Sequence, residues 1–130
     1  MKFMKAIQLG FILIIGFSCE DILIRESISP IVNTELPSTG VVGETISFKI
    51  YHVVFNGCGQ YSRHETNIEG KVVTVKFYGR YTNGKICSDN IPTLETDYKF
   101  RIKESGDYFF KFYNDSFNGN EFVLDTLRVL

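Results

Sequence analysis

The chain has 130 residues, of which 44% are hydrophobic and 22% are charged, and its formal net charge is −1. This length favours one domain, and the hydrophobic content is too high for a disordered chain. Because the chain lacks the basic excess that nucleic-acid binding needs, no nucleic-acid partner is expected.

The N-terminus has the pattern of an export signal. Lys2 and Lys5 precede an uncharged, mostly apolar run over residues 9–17. That run is shorter than the roughly 20 apolar residues of a membrane-spanning helix, so it favours a helical signal peptide over residues 1–18. We expect residues 19–29 to form a tether and residues 30–130 to form the folded domain.

The end of this signal, Ser18-Cys19, resembles the lipobox of bacterial lipoproteins, in which the cysteine is acylated and becomes the first residue. The resemblance implies lipidation of Cys19 and attachment to a membrane through that lipid. Glu20-Asp21 resembles the acidic signal that directs such proteins to the outer face of the outer membrane. The expected location is therefore the outer membrane, at its periplasmic face or at the cell surface. An ordinary signal peptide followed by a chance cysteine is the alternative.

Alternating apolar and polar residues predict strands in several parts of the domain. The pattern begins with Ile46, Phe48 and Ile50 and returns in residues 71–81, 98–102 and 106–112. A change of phase after residue 52 suggests a β-bulge.

The remaining signals complete the predicted fold. Asn83-Gly84 is a strong hairpin signal. In the last strand, over residues 121–130, Phe122 and Leu124 are expected to point inward, followed by Leu127 and Val129. About seven short strands separated by turns predict an all-β fold, an antiparallel β-sandwich.

The segment 104–110 resembles the tyrosine corner of immunoglobulin-like domains, with Tyr108 as the corner residue. The core cysteines and tryptophan of antibody domains are absent, so the resemblance is to the wider immunoglobulin-like and fibronectin-III-like superfamily. Together with Gly43-Glu44, the cluster 56–59 and Cys87, the segment is similar to small Bacteroidota lipoproteins with a single immunoglobulin-like domain. This resemblance implies the fold and no particular activity.

Cys58 and Cys87 are the two cysteines that remain if Cys19 is lipidated. In an oxidising compartment such a pair predicts a disulfide. The alternative is a small envelope enzyme or metal-binding protein that uses His52 and His64 with these cysteines. No spacing typical of a metal site is present, and neighbours such as Ser62 and His64 would point to opposite faces of a strand. We therefore expect no catalytic residues, no metal and no cofactor.

Several aromatic residues fall on outward phases or in loops: Tyr51, Tyr78, Phe109, Tyr113 and Phe117. Clustered on one sheet face, they would form a binding surface for a protein or glycan partner. The alternative is that they are scattered or covered. The sequence thus predicts a lipid-anchored domain with a binding or structural role.

Overall fold

The computed structural model describes residues 24–82 and 86–130. These residues form an all-β sandwich, which confirms the predicted fold class, and they contain no helix that could span a bilayer. The predicted signal peptide and Cys19 lie outside the described residues. The nine strands of the described part are β1 (Ile24–Ile28), β2 (Ile31–Thr34), β3 (Thr39–Gly40), β4 (Thr45–Val53), β5 (Gln60–Glu69), β6 (Val72–Thr82), β7 (Thr93–Arg101), β8 (Gly106–Tyr113) and β9 (Phe122–Val129).

The strands form two sheets. The three-stranded sheet has the order β2-β4-β7, and the other sheet contains the remaining six strands. In the six-stranded sheet, β5 pairs along most of one edge of β6. The other edge of β6 is shared, since β8 pairs with its first half and β1 with its second half. Beyond β8 follow β9 and then the short β3.

Two pairings differ from the predicted all-antiparallel arrangement. Strands β6 and β8 run parallel, as do β3 and β9. Between β6 and β8 the chain crosses to the other sheet, runs back along β7 and crosses again, so β8 has the direction of β6. This parallel pair is also a difference from the antiparallel sheets of immunoglobulin domains.

Part of the predicted tether belongs to the domain. Residues 24–28 form β1, and Ser29 after it is fully buried. Ser29 donates its backbone N–H to the Phe77 carbonyl of the six-stranded sheet at 2.8 Å, and Pro30 accepts from Val53 of the other sheet at 2.9 Å. The chain therefore crosses from one sheet to the other here, and the packed domain begins before residue 30.

The core lies between the sheets and consists of the side chains that point inward from strands with an alternating apolar pattern. Phe48 on β4 packs its ring against those of Tyr98, Phe110 and Phe112, at centroid distances of 5.4, 6.3 and 6.2 Å. Its tilted and edge-on ring contacts are the favourable arrangements for aromatic pairs. The buried cluster comprises Ile31, Ile46, Phe48, Ile50, Val73, Val75, Phe77, Tyr98, Phe100, Ile102, Tyr108, Phe110, Phe112, Leu127 and Val129.

Strands β5 and β6 form a hairpin. Its turn is at Gly70, whose φ of 62° suits a residue without a side chain. Strand β5 lacks the alternating pattern of a half-buried strand because its side chains are mostly exposed at a sheet edge. The predicted hairpin turn Asn83-Gly84 lies outside the described residues, and Ile86 and Cys87, which follow it, are not in a strand.

His52 continues the inward series of β4 and does not mark a change of phase. Strand β4 pairs with β7 without interruption, and the irregularity lies between Ile31 and Asn33 of β2. The His52 side chain is fully buried. Its ring packs on Phe77 at a centroid distance of 4.9 Å.

Hydrogen bonds determine the tautomer of His52. Ser29 Oγ donates to the Val53 carbonyl at 2.7 Å, so it must accept from His52 Nδ1–H, 2.6 Å away. Nε2 then accepts from the Thr96 hydroxyl at 2.7 Å. Burial lowers the pKa of His52 from 6.5 to about 4, and the ring is neutral at pH 7.

This burial predicts a pH-dependent stability. Between about pH 6.5 and about pH 4 the unfolded chain binds a proton at His52 and the folded chain does not. The free energy of unfolding should therefore be full above about pH 6.5 and should fall below it, by up to about 1.4 kcal/mol per pH unit. Urea unfolding across this range measures the slope.

The matched variants are His52→Gln and His64→Gln. The first should flatten the slope between about pH 6.5 and about pH 5.5, and the second should retain it. Equal slopes in the wild type and in His52→Gln would contradict the assignment.

Candidate functional site

The outer side of the six-stranded sheet carries a continuous row of aromatic, aliphatic and cationic side chains. Every second side chain of β6, β8 and β9 points into the core, so the side chains between them face outward. We call this surface the aromatic face. It consists of Val72, Thr74, Lys76 and Tyr78 of β6, Phe109, Lys111 and Tyr113 of β8, and Phe122 and Leu124 of β9.

Three cations lie over aromatic rings on this surface. The guanidinium of Arg63, from the neighbouring β5, is 3.9 Å from the centroid of the Tyr78 ring. The ammonium groups of Lys76 and Lys111 are 4.8 and 4.3 Å from the ring centroids of Tyr113 and Phe122. Such contacts are electrostatically attractive, and they order long side chains that would otherwise be mobile.

Carboxylates hold the Arg63 end of the aromatic face. Arg63 forms ion pairs with Glu26 at 2.9 Å and with Glu65 at 2.7 Å. Two hydrogen bonds lower the pKa of Glu65; the one from Arg63 has the larger effect and the one from Tyr78 the smaller. The pKa of Tyr78 is raised mainly by burial and also by the hydrogen bond to Glu65. The Tyr78 hydroxyl therefore remains a donor to Glu65, at 3.0 Å.

The other end of the face is apolar. Val72, Phe109 and Leu124 are 38%, 51% and 71% exposed. They line one shallow depression together with Lys111 and Thr126. Neighbouring depressions along the same sheet also include Lys76, Lys111 and Phe122. A contiguous exposed patch of this kind marks interaction surfaces more often than isolated apolar residues do.

The five predicted surface aromatics do not form one group. Tyr78, Phe109 and Tyr113 share the aromatic face. Tyr51 lies on β4 of the opposite sheet, where its hydroxyl donates to Glu35 at 2.8 Å. Phe117 lies in the loop after β8, with its ring 6.4 Å from that of Phe55.

Strand β9 contributes two residues that the sequence assigned inward. Phe122 and Leu124 pair with Tyr113 and Lys111 and share their outward side. Leu127 and Val129 point inward as predicted, so the phase of β9 does not change. The signal that would have given the correct phase is the alternation counted back from these last two residues.

Cys58 and Cys87 form a disulfide, with their Cα atoms 5.4 Å apart. The bond joins the loop after β4 to the segment before β7. His52 lies in the core, and Nδ1 of His64 forms a hydrogen bond with the Tyr61 hydroxyl at 2.6 Å. Across residues 24–82 and 86–130, no cluster of three or more histidine, cysteine or carboxylate side chains has the arrangement of a metal site.

Tyr108 lies at the corner where β8 begins. Its hydroxyl accepts the backbone N–H of Glu104, four residues upstream, at 3.0 Å. Its ring is buried and packs on Phe100 at a centroid distance of 5.4 Å. The hydrogen bond ties the turn that leads into β8 to the first buried ring of that strand.

Comparison with known proteins gives a family. No curated protein and no solved structure matches the chain. A family model described as the ORF11 beta-sandwich domain matches residues 48–124, more than half of the chain. The match begins within β4 and ends within β9, so it includes both disulfide cysteines and all nine residues of the aromatic face. The chain therefore belongs to the ORF11 beta-sandwich domain family.

Proposed function

We propose that this protein is a lipid-anchored component of the cell envelope and that its sandwich domain binds a protein partner through the aromatic face. The role is binding or structural and not catalytic. The observation that carries the proposal is the row of cation–aromatic pairs that continues into the exposed apolar residues Val72, Phe109 and Leu124. Aromatic and arginine side chains are enriched in protein interfaces, where an apolar centre is surrounded by a polar rim.

The ring arrangement favours a protein over a glycan. Sugar rings bind to open aromatic faces, whereas Tyr78, Tyr113 and Phe122 each carry a cation over the ring. A protein partner could exchange these cations for its own carboxylates and could cover Phe109 and Leu124 at the same time. Since the rings are already ordered, binding would cost little side-chain entropy.

Support for the anchor comes from the sequence and from the position of β1. The lipobox-like Ser18-Cys19 ends five residues before Ile24, where β1 starts. A Cys58–Cys87 disulfide is consistent with an oxidising compartment outside the cytoplasm. An acylated Cys19 would therefore hold the sandwich close to a membrane of the envelope.

The anchor is tested by Cys19→Ala in the full chain, with Ser18→Ala as the matched control. Loss of the acceptor thiol should move the protein from the membrane fraction to the soluble fraction. Ser18→Ala keeps a small residue before the cysteine and should leave the protein in the membrane fraction. Retention of Cys19→Ala in the membranes to the same extent would contradict lipid anchoring.

The binding face is tested by photo-crosslinking in cells. A photoreactive phenylalanine analogue replaces Phe109 on the aromatic face or, as the control, Tyr51 on the opposite sheet. We expect a discrete crosslinked protein from position 109 that is absent from position 51. The same adducts from both positions, or none from position 109, would overturn the assignment of this face.

A further inference from the structure

One end of the sandwich carries exposed apolar side chains on three neighbouring loops. The loops cover residues 54–59, 86–92 and 114–121, and we call them together the loop end. Phe55, Ile91 and Phe117 are 46%, 51% and 42% exposed there, and Ile86 is fully exposed. The aromatic face does not include these residues, and the binding role proposed above does not use them.

A disulfide and a backbone hydrogen bond hold the first two loops together, and a ring contact joins the third to them. The Cys58–Cys87 disulfide joins the first two, and Gly57 donates its N–H to the Ser88 carbonyl at 2.9 Å. The Phe55 N–H donates to the Tyr81 hydroxyl at 2.9 Å. Contact between the rings of Phe55 and Phe117 brings in the third loop. The exposed apolar groups are therefore presented on a braced surface.

The chain enters the domain at this same end. Ile24, the first residue of β1, pairs with Thr82, the last residue of β6. Cys19 precedes Ile24 by five residues, and five extended residues reach at most about 18 Å. A lipid on Cys19 would thus place the bilayer surface beside the loop end and not beside the opposite end.

The charges of the loop end provide no electrostatic attraction to anionic lipid, so any contact there must come from its apolar side chains. The charged side chains among the described residues of these loops are Asp89, Asp115 and Glu121, all acidic. Attraction to anionic headgroups therefore contributes nothing, and salt should have little effect on the contact. At the opposite end, exposed Val42 lies beside Arg101 and Lys103.

We propose that the loop end inserts Phe55, Ile91 and Phe117 into the interface of the membrane that holds the lipid anchor. The inference rests on the proposed anchoring at Cys19. Apolar side chains add a second attachment beside the acyl chains, which sets the orientation of the domain as well as its location. With the loop end down, the strands stand away from the membrane, and the aromatic face opens sideways toward other envelope proteins.

The absence of tryptophan from the sequence gives a clean probe. Full-length lipidated protein with Phe117→Trp is bound to phosphatidylcholine vesicles, with and without brominated acyl chains. Val42→Trp at the opposite end is the matched control. We expect a blue-shifted emission that brominated lipid quenches at least about twofold for Phe117→Trp, and neither effect for Val42→Trp. Ile91→Trp should behave like Phe117→Trp. Agreement between the two variants shows that the result does not come from a local folding defect in one of them.

Co-sedimentation of the same samples separates the two proposals. Protein that sediments with vesicles but shows no quenching at positions 91 and 117 overturns the insertion and leaves the anchor intact. Equal quenching at position 42 also overturns it, because it means that orientation is not fixed. Failure of the full chain to sediment, with no difference from Cys19→Ala, counts against the anchor and against the insertion that depends on it.

Discussion

The whole molecule depends on the packing of inward side chains between the two sheets. Phe48 occupies the middle of this interior and contacts rings from both sheets, those of Tyr98, Phe110 and Phe112. Burial of such rings supplies the largest favourable contribution that a small domain has. The same packing fixes the phase of β8, and through β8 it determines that Phe109, Lys111 and Tyr113 face outward. The candidate binding surface is thus a consequence of the core.

The N-terminal segment connects this core to the proposed anchor. Strand β1 pairs with the six-stranded sheet and β2 with the three-stranded sheet, and Ser29 between them is buried against His52. A load on a lipid at Cys19 would therefore act on both sheets and not on a loose linker. The neutral His52 completes the crossing by donating to Ser29 and accepting from Thr96. A buried polar group of this kind is tolerated because each of its polar atoms has a partner.

The sequence was sufficient for the strands that bury one face and present the other. Strands β4, β6, β7 and β8 show that alternation, and the cysteine count led to the Cys58–Cys87 pair. It was insufficient for β5, because this edge strand buries few side chains and so needs no alternating apolar residues. It also misassigned Phe122 and Leu124, because apolar side chains on an exposed sheet face look like core residues in a sequence. The parallel β6–β8 pairing has no local signal, since it arises from two crossings between the sheets.

The most direct measurement is the free energy of unfolding of Phe48→Ala compared with Ser47→Ala, obtained from urea unfolding. Removal of a ring at the centre of the core should cost about 3–5 kcal/mol. The neighbouring Ser47 is exposed on the other side of β4, so its substitution should change stability by less than about 0.5 kcal/mol. Similar small losses for both variants would mean that Phe48 does not lie between the sheets, and the assignment of every outward residue would then fail with it.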